Sequence, residues 1–193
     1  MSNFAERVFK FRSYTPLPFV VLMVIFQKAS IASMIIGFAV IMIGEFFRLW
    51  GVTYAGSETR TTGNVGGTFL VVSGAYSFVR NPLYVGNMLI YFGVGIMSMA
   101  LFPYLQLAAL TFFFFQYSVI IKEEESFLLG KYGKSYENYF IDVPKLIPNG
   151  KKYKNPGLDQ PPFNLKAGLS SEKRTLQAIS IIILLIIIRY VLS

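Results

Sequence analysis

The chain has 193 residues, of which 54% are hydrophobic, 17% aromatic and only 15% charged; soluble domains carry about 25% charged residues, so one integral membrane domain is expected. It contains no cysteine and no histidine, which excludes disulfides, thiolate metal sites and the usual general base near neutral pH. The formal charge is +8, and the positions of the cations explain it without nucleic acid.

Met1 to Arg12 is charged and amphipathic, and the apolar run after it lacks a small-residue cleavage site, so no cleavable signal peptide is expected. Phe4, Val8 and Phe11 fall near one helical face, with Arg7, Lys10 and Arg12 interleaved. Residues 1–14 are therefore predicted to form a helix lying on the membrane surface. Residues 15–27, TPLPFVVLMVIFQ, make a first apolar run, short for the ~20 residues of a spanning helix. Residues 31–50 make a fuller second span, with Gln27 to Ser30 as the hairpin between. Residues 51–82 are a polar connection rich in Gly and Thr, within which 68–72 is β-prone. Residues 83–100 and 104–121 are predicted as spans three and four, joined by an uncharged turn that contains Pro103. Residues 122–175 are polar: KEEESFLLGKYGKSYENYF reads as a helix punctuated by Gly, and 151–164 as a loop. Residues 176–192 form the last span, an anchor or oligomer contact, with Arg189 near its end.

Arg7, Lys10 and Arg12 precede span one; Arg48, Arg60 and Arg80 flank the second-to-third connection; ten more cations lie from Lys122 to Arg174. Lys28 and Arg189 fall on the other side. The positive-inside rule then gives five spans, a cytoplasmic N-terminus and a C-terminus on the opposite face. The two polar segments share the cytoplasmic side, and chemistry is expected where they meet.

Arg80-Asn81-Pro82 stands at that place. Pro82 is suited to the first turn of span three, and a helix N-terminus offers N–H groups to an anion. The interfacial alternative has Arg80 reaching lipid phosphate and Asn81 capping the helix. Glu123, Glu124 and Glu125 follow span four; they read either as a solvated helix start with a favourable dipole or with one carboxylate turned inward to accept hydrogen bonds from ribose hydroxyls or an ammonium. Tyr76, Phe78, Tyr84, Tyr132, Tyr136 and Tyr139 are the nearby aromatics, and a sulfonium favours aromatic faces. Gly86, Gly93 and Gly95 would let another helix approach span three closely. Glu45 and Arg48, three apart in span two, are expected to pair.

LVVSGAYSFVRNPLYVG resembles the signature of the isoprenylcysteine carboxyl methyltransferase family, which takes in phospholipid N-methyltransferase-like membrane proteins. EEESFLLGKYGKSYENYFIDVPKLIP resembles its second half, so the likeness covers about residues 68–148. The resemblance implies an all-α polytopic membrane enzyme with about five transmembrane helices and a cytoplasmic pocket for S-adenosylmethionine. Carried onto matching positions, the cofactor-binding residues are Thr68, Phe69, Leu70, Val71, Tyr76, Asn81, Pro82, Leu83, Tyr84 and Glu124. Arg80 is the catalytic candidate and Lys122 the substrate-binding one; no metal is implied. The family His is Asn81 here, which still hydrogen-bonds but does not titrate. The family's substrate Arg falls at Ile120, with Lys122 the nearby cation. Residues 15–148 are the expected methyltransferase core, 149–175 a cytoplasmic linker and 176–193 a C-terminal transmembrane helix. The acceptor is expected to be lipophilic, isoprenoid or lipid-like, with a carboxylate among the candidates. An NADPH-dependent sterol or lipid reductase, with Lys151, Lys152 and Lys154 as phosphate ligands, and a non-catalytic membrane scaffold are the alternatives.

Overall fold

The computed structural model describes residues 3–56, 69–155 and 157–192. Among the described residues, seven α-helices follow in order: α1 (Asn3–Phe11), α2 (Leu17–Ile25), α3 (Ile31–Ala55), α4 (Pro82–Ser98), α5 (Tyr104–Tyr132), α6 (Lys134–Asp142) and α7 (Leu165–Val191), with a 3-10 turn at Gly74–Ser77. No strand is found among the described residues, in keeping with the all-α class.

The spans differ from expectation at three places. α3, α5 and α7 are long and apolar enough to cross a membrane, and α4 is a shorter apolar helix of 17 residues. α2 has nine residues, a rise of about 14 Å against a hydrocarbon core of about 30 Å, so the first apolar run is not a full-length helix. Pro16 and Pro18 set its start at Leu17. α5 runs through the acidic triplet without a break and ends at Gly133, which has φ +52°. α7 starts at Leu165, well before the expected 176, because the Asn164 side chain caps it by accepting the Ala167 N–H at 2.9 Å.

α3 and α4 form the centre of the bundle. Gly37, Gly44 and Gly51 stand seven apart on α3, as do Gly86 and Gly93 on α4. A Cβ on Gly37 would lie 2.5 Å from the Gly93 carbonyl, and one on Gly44 2.7 Å from the Gly86 carbonyl. The two backbones therefore touch along a seam that side chains would hold apart. Met23, Ile41, Ile90, Val94 and Met97 pack around one end of the seam together with Ile179 and Ile186 of α7.

The distal end is closed by polar contacts. Ser30 and Ser33 form a capping box on α3, at 3.1 and 2.9 Å. The buried Gln106 amide donates to the carbonyls of Gly95 and Ala100 at 2.9 and 3.1 Å, satisfying the end of α4. The Gln27 amide reaches the Ile186 carbonyl at 3.2 Å, tying α2 to α7.

α1 docks on α5 through a face different from the predicted one. Ala5 and Phe9 are buried, Phe9 against Ala109, Phe113, Tyr117, Ile120 and Ile121, while Phe4 and Phe11 point outward. The helix thus has an apolar side for α5 and further aromatics left for lipid, a division that the Phe4–Val8–Phe11 pattern does not reveal.

Candidate functional site

The two polar segments meet at the end of the bundle where α4 begins. Four pieces build the place: the irregular residues 70–72, the Gly74–Ser77 turn, the first turn of α4, and the last turns of α5 with α6 beside them. Gly74 makes the turn possible. It has φ +61°, and a Cβ there would stand 2.5 Å from Cε2 of the Tyr54 ring. The Ser77 hydroxyl closes the turn by donating to the Gly74 carbonyl at 2.7 Å.

Glu124 faces this place from α5. The Tyr84 hydroxyl donates to its Oε1 at 2.9 Å, and the Tyr84 ring lies 4.6 Å from that of Tyr117. A carboxylate anchored by a phenol has fixed orientation and keeps lone pairs for other donors. Tyr76 is held from behind: the Tyr139 hydroxyl donates to its carbonyl at 2.8 Å. Burial pushes the Tyr76 phenol well above the ordinary tyrosine pKa, and the charge of Glu124 adds to the shift. That hydroxyl is therefore a donor at every physiological pH.

Asn81 does not cap α4, because its side chain makes no capping bond. Its amide donates instead to the Lys145 carbonyl at 3.1 Å. The first turn of α4, from Pro82 through Leu83 to Tyr84, thus lacks a side-chain cap from Asn81 and presents the positive end of a helix. Pro82 itself is buried.

Arg80 is engaged on every side. Its Nε donates to Glu125 at 2.9 Å, its Nη1 to the carbonyls of Phe140 (2.6 Å) and Val143, and its guanidinium lies over the Phe140 ring at 4.1 Å. Its backbone N–H binds the Pro144 carbonyl at 2.8 Å. The Arg-Asn pair therefore clamps the end of α6 to the start of α4.

The other predicted residues scatter. Leu70 is buried with Val72, Tyr136, Tyr139 and Val143; Val71 is half-buried, and Phe69 is exposed. Lys122 is exposed on α5. Thr68 lies outside the described residues. Ile120 is fully buried in the cluster that holds Phe9 of α1. Lys151, Lys152 and Lys154 are exposed. Among the described residues, no three His, Cys, Asp or Glu side chains gather as a metal site requires.

Sequence reasoning missed one polar cluster. Glu45 lies 3.8 Å from Arg48, the expected pair, but the nearest carboxylate to Arg48 is Glu172 of α7 at 2.7 Å. Arg48 also donates to Asn87 on α4. A lone Arg within an apolar span was the available signal; its partner more than 120 residues away was not.

The sequence matches the model of the phospholipid methyltransferase family over residues 32–135, just over half of the chain. The chain belongs to that family. A methanethiol S-methyltransferase of Crocosphaera subtropica is 42% identical over 78 residues, 40% of this chain and 29% of that protein. The cobalt-zinc-cadmium resistance protein CzcN of Cupriavidus metallidurans is 33% identical over 109 residues, 55% of this chain and 45% of that protein. The chain thus spans less than half the length of either relative. No solved structure matches it. The family match begins one residue into α3 and ends in α6, so it contains Arg80, the α4 start and Glu124 but leaves out α7.

Proposed function

We propose that the protein transfers a methyl group from S-adenosylmethionine to a lipophilic acceptor at the membrane–cytoplasm boundary. The observation that carries this reading is Glu124, oriented by Tyr84 at 2.9 Å beside the uncapped start of α4. The donor set fits the cofactor. A carboxylate accepts from an ammonium or from ribose hydroxyls, free helix N–H groups suit a carboxylate, and Tyr76 and Tyr84 offer ring faces to a sulfonium. The bound cofactor supplies an electrophilic methyl group for in-line displacement. The chain's own part is to align the two reactants and exclude water.

The acceptor follows from what is missing as a base. The sequence has no histidine, and the Tyr76 phenol is held protonated by burial. An acceptor that brings its own negative charge, a thiolate or carboxylate on an apolar body, requires no proton removal by the enzyme. The methanethiol S-methyltransferase relative is named for a thiol acceptor. Arg80, spent on Glu125 and on carbonyls of α6 and the residues just after it, acts as a positioning residue rather than a catalytic one. We place the N-terminus in the cytoplasm and the C-terminus across the membrane, a reading the cation distribution supports with residues 12–28 crossing around the short α2.

The test is S-adenosylmethionine binding by calorimetry on the purified protein in detergent, beside Glu124→Ala. The expected result is saturable binding in the wild type and a loss of about tenfold or more in the variant, the usual scale for a charged hydrogen bond. Equal affinity in both would sink the assignment of Glu124.

A further inference from the structure

The chain after α6 does more than an anchor would. Gln160 bridges two backbone groups of segment 70–72: its Nε2 donates to the Leu70 carbonyl at 3.0 Å, and its Oε1 accepts from the Val72 N–H at 2.8 Å. One side-chain amide thereby makes the pair of bonds that a neighbouring strand would make. Around it, the Tyr153 N–H donates to the Ser77 carbonyl at 2.8 Å and the Asn164 N–H to the Thr53 carbonyl at 2.9 Å. α7 then lies flush on α3 at Gly168, where a Cβ would come within 2.6 Å of Thr53 Cγ2.

One turn further, Glu172 is fully buried. Arg48 Nη2 donates to both of its oxygens, at 2.9 and 2.7 Å, and to Thr175 at 3.2 Å. Arg48 Nε adds a bond to Glu172 at 3.2 Å, and Asn87 brings in α4. Apolar side chains would join three helices with less desolvation cost, whereas a buried pair with directional bonds fixes one register. Two residues beyond Arg48 on α3, the Trp50 ring lies 5.6 Å from that of Phe78, which follows the Gly74–Ser77 turn, so the cluster borders the site.

We propose that Gln160 and Glu172 are positioning residues for the cofactor site, and that residues 157–175, with Tyr153, form its back wall. Gln160 holds segment 70–72 at the right distance from the Tyr76 turn; Glu172, through Arg48, locks α7 against α3 and α4 beneath that turn. The site is incomplete without the last helix, although the family match ends at residue 135. The affinity part rests on the cofactor reading above; the positional part does not.

The experiment compares the full-length wild type, Gln160→Ala, Glu172→Gln and a lipid-facing control, Leu184→Ala, in detergent. It reads amide hydrogen exchange over residues 70–84 and the S-adenosylmethionine dissociation constant. Both site variants are expected to exchange faster over the whole 70–84 stretch and to bind about tenfold more weakly, with exchange in α5 unchanged; the control should match the wild type. If Glu172→Gln does not fold, Gln160→Ala decides, since that residue lies outside the helices. Unchanged exchange beyond Val72 overturns the proposal, and so does faster exchange with unchanged affinity, which makes the contacts merely structural. A wild type that binds no cofactor overturns the function proposed above, and the exchange measurement still decides the positional role.

Discussion

At the scale of single residues, Arg80 and Asn81 fasten the start of α4 to the end of α6 and the residues after it. Arg80 joins Glu125 of α5 to the carbonyls that close α6, with both partners of the ion pair largely shielded. Removing one partner leaves the other charge buried and unpaired, so Arg80→Ala is expected to cost about 3 kcal/mol. Arg80→Lys keeps the charge but loses the fork that binds several acceptors at once. Both variants should lower the thermal midpoint in detergent, Ala more than Lys, and a midpoint equal to wild type in Arg80→Ala would contradict the clamp. Tyr136 gives a second prediction. Its burial, then the charge of Glu125, raises the phenol above its unfolded value. The folded state therefore holds this proton more tightly than the unfolded one. The stability it contributes is full below about pH 10 and is lost as pH rises beyond that. Alkaline unfolding followed by circular dichroism should begin there, with a smaller pH dependence in Tyr136→Phe.

At the scale of elements, the glycine seam sets the distance between α3 and α4. A Cβ at Gly86 would meet the Gly44 carbonyl at 2.5 Å and the Arg48 side chain as well. Gly86→Val should cost about 1–3 kcal/mol through overpacking and also disturb the Arg48 bonds, read as a lower midpoint and as reduced cofactor affinity. Much of this level was legible. The apolar runs locate α3, α4 and α5, and Gly86 and Gly93 announce a close neighbour. What stayed hidden depends on long-range partners. Glu172 looked like one of several charges ahead of an anchor, because nothing in LKAGLSSEKRT reveals that Arg48 waits on α3. Gln160 sat in a stretch rich in Pro and Gly, whose loop chemistry masks an amide doing a strand's work. The outward turn of Phe4 and Phe11 on α1 was equally invisible, since periodicity gives an apolar face but not which neighbour covers it.

At the scale of the whole molecule, a chain without cysteine lends itself to a direct test of orientation. Single cysteines at Lys28 and Lys152, both exposed, are expected to react with a membrane-impermeant maleimide from opposite faces, Lys152→Cys only in inside-out vesicles. Labelling of both from one face would overturn the arrangement. The bundle itself is built unevenly. Along the seam, backbone meets backbone, and no rotamer is available there to yield. At the flank, rings meet rings: Phe19 lies 5.5 Å from Phe112 and 5.4 Å from Phe113. The α3–α4 pair therefore serves as a keel, and what give the bundle has falls to the α2–α5 side, where turning a ring costs less than parting two backbones.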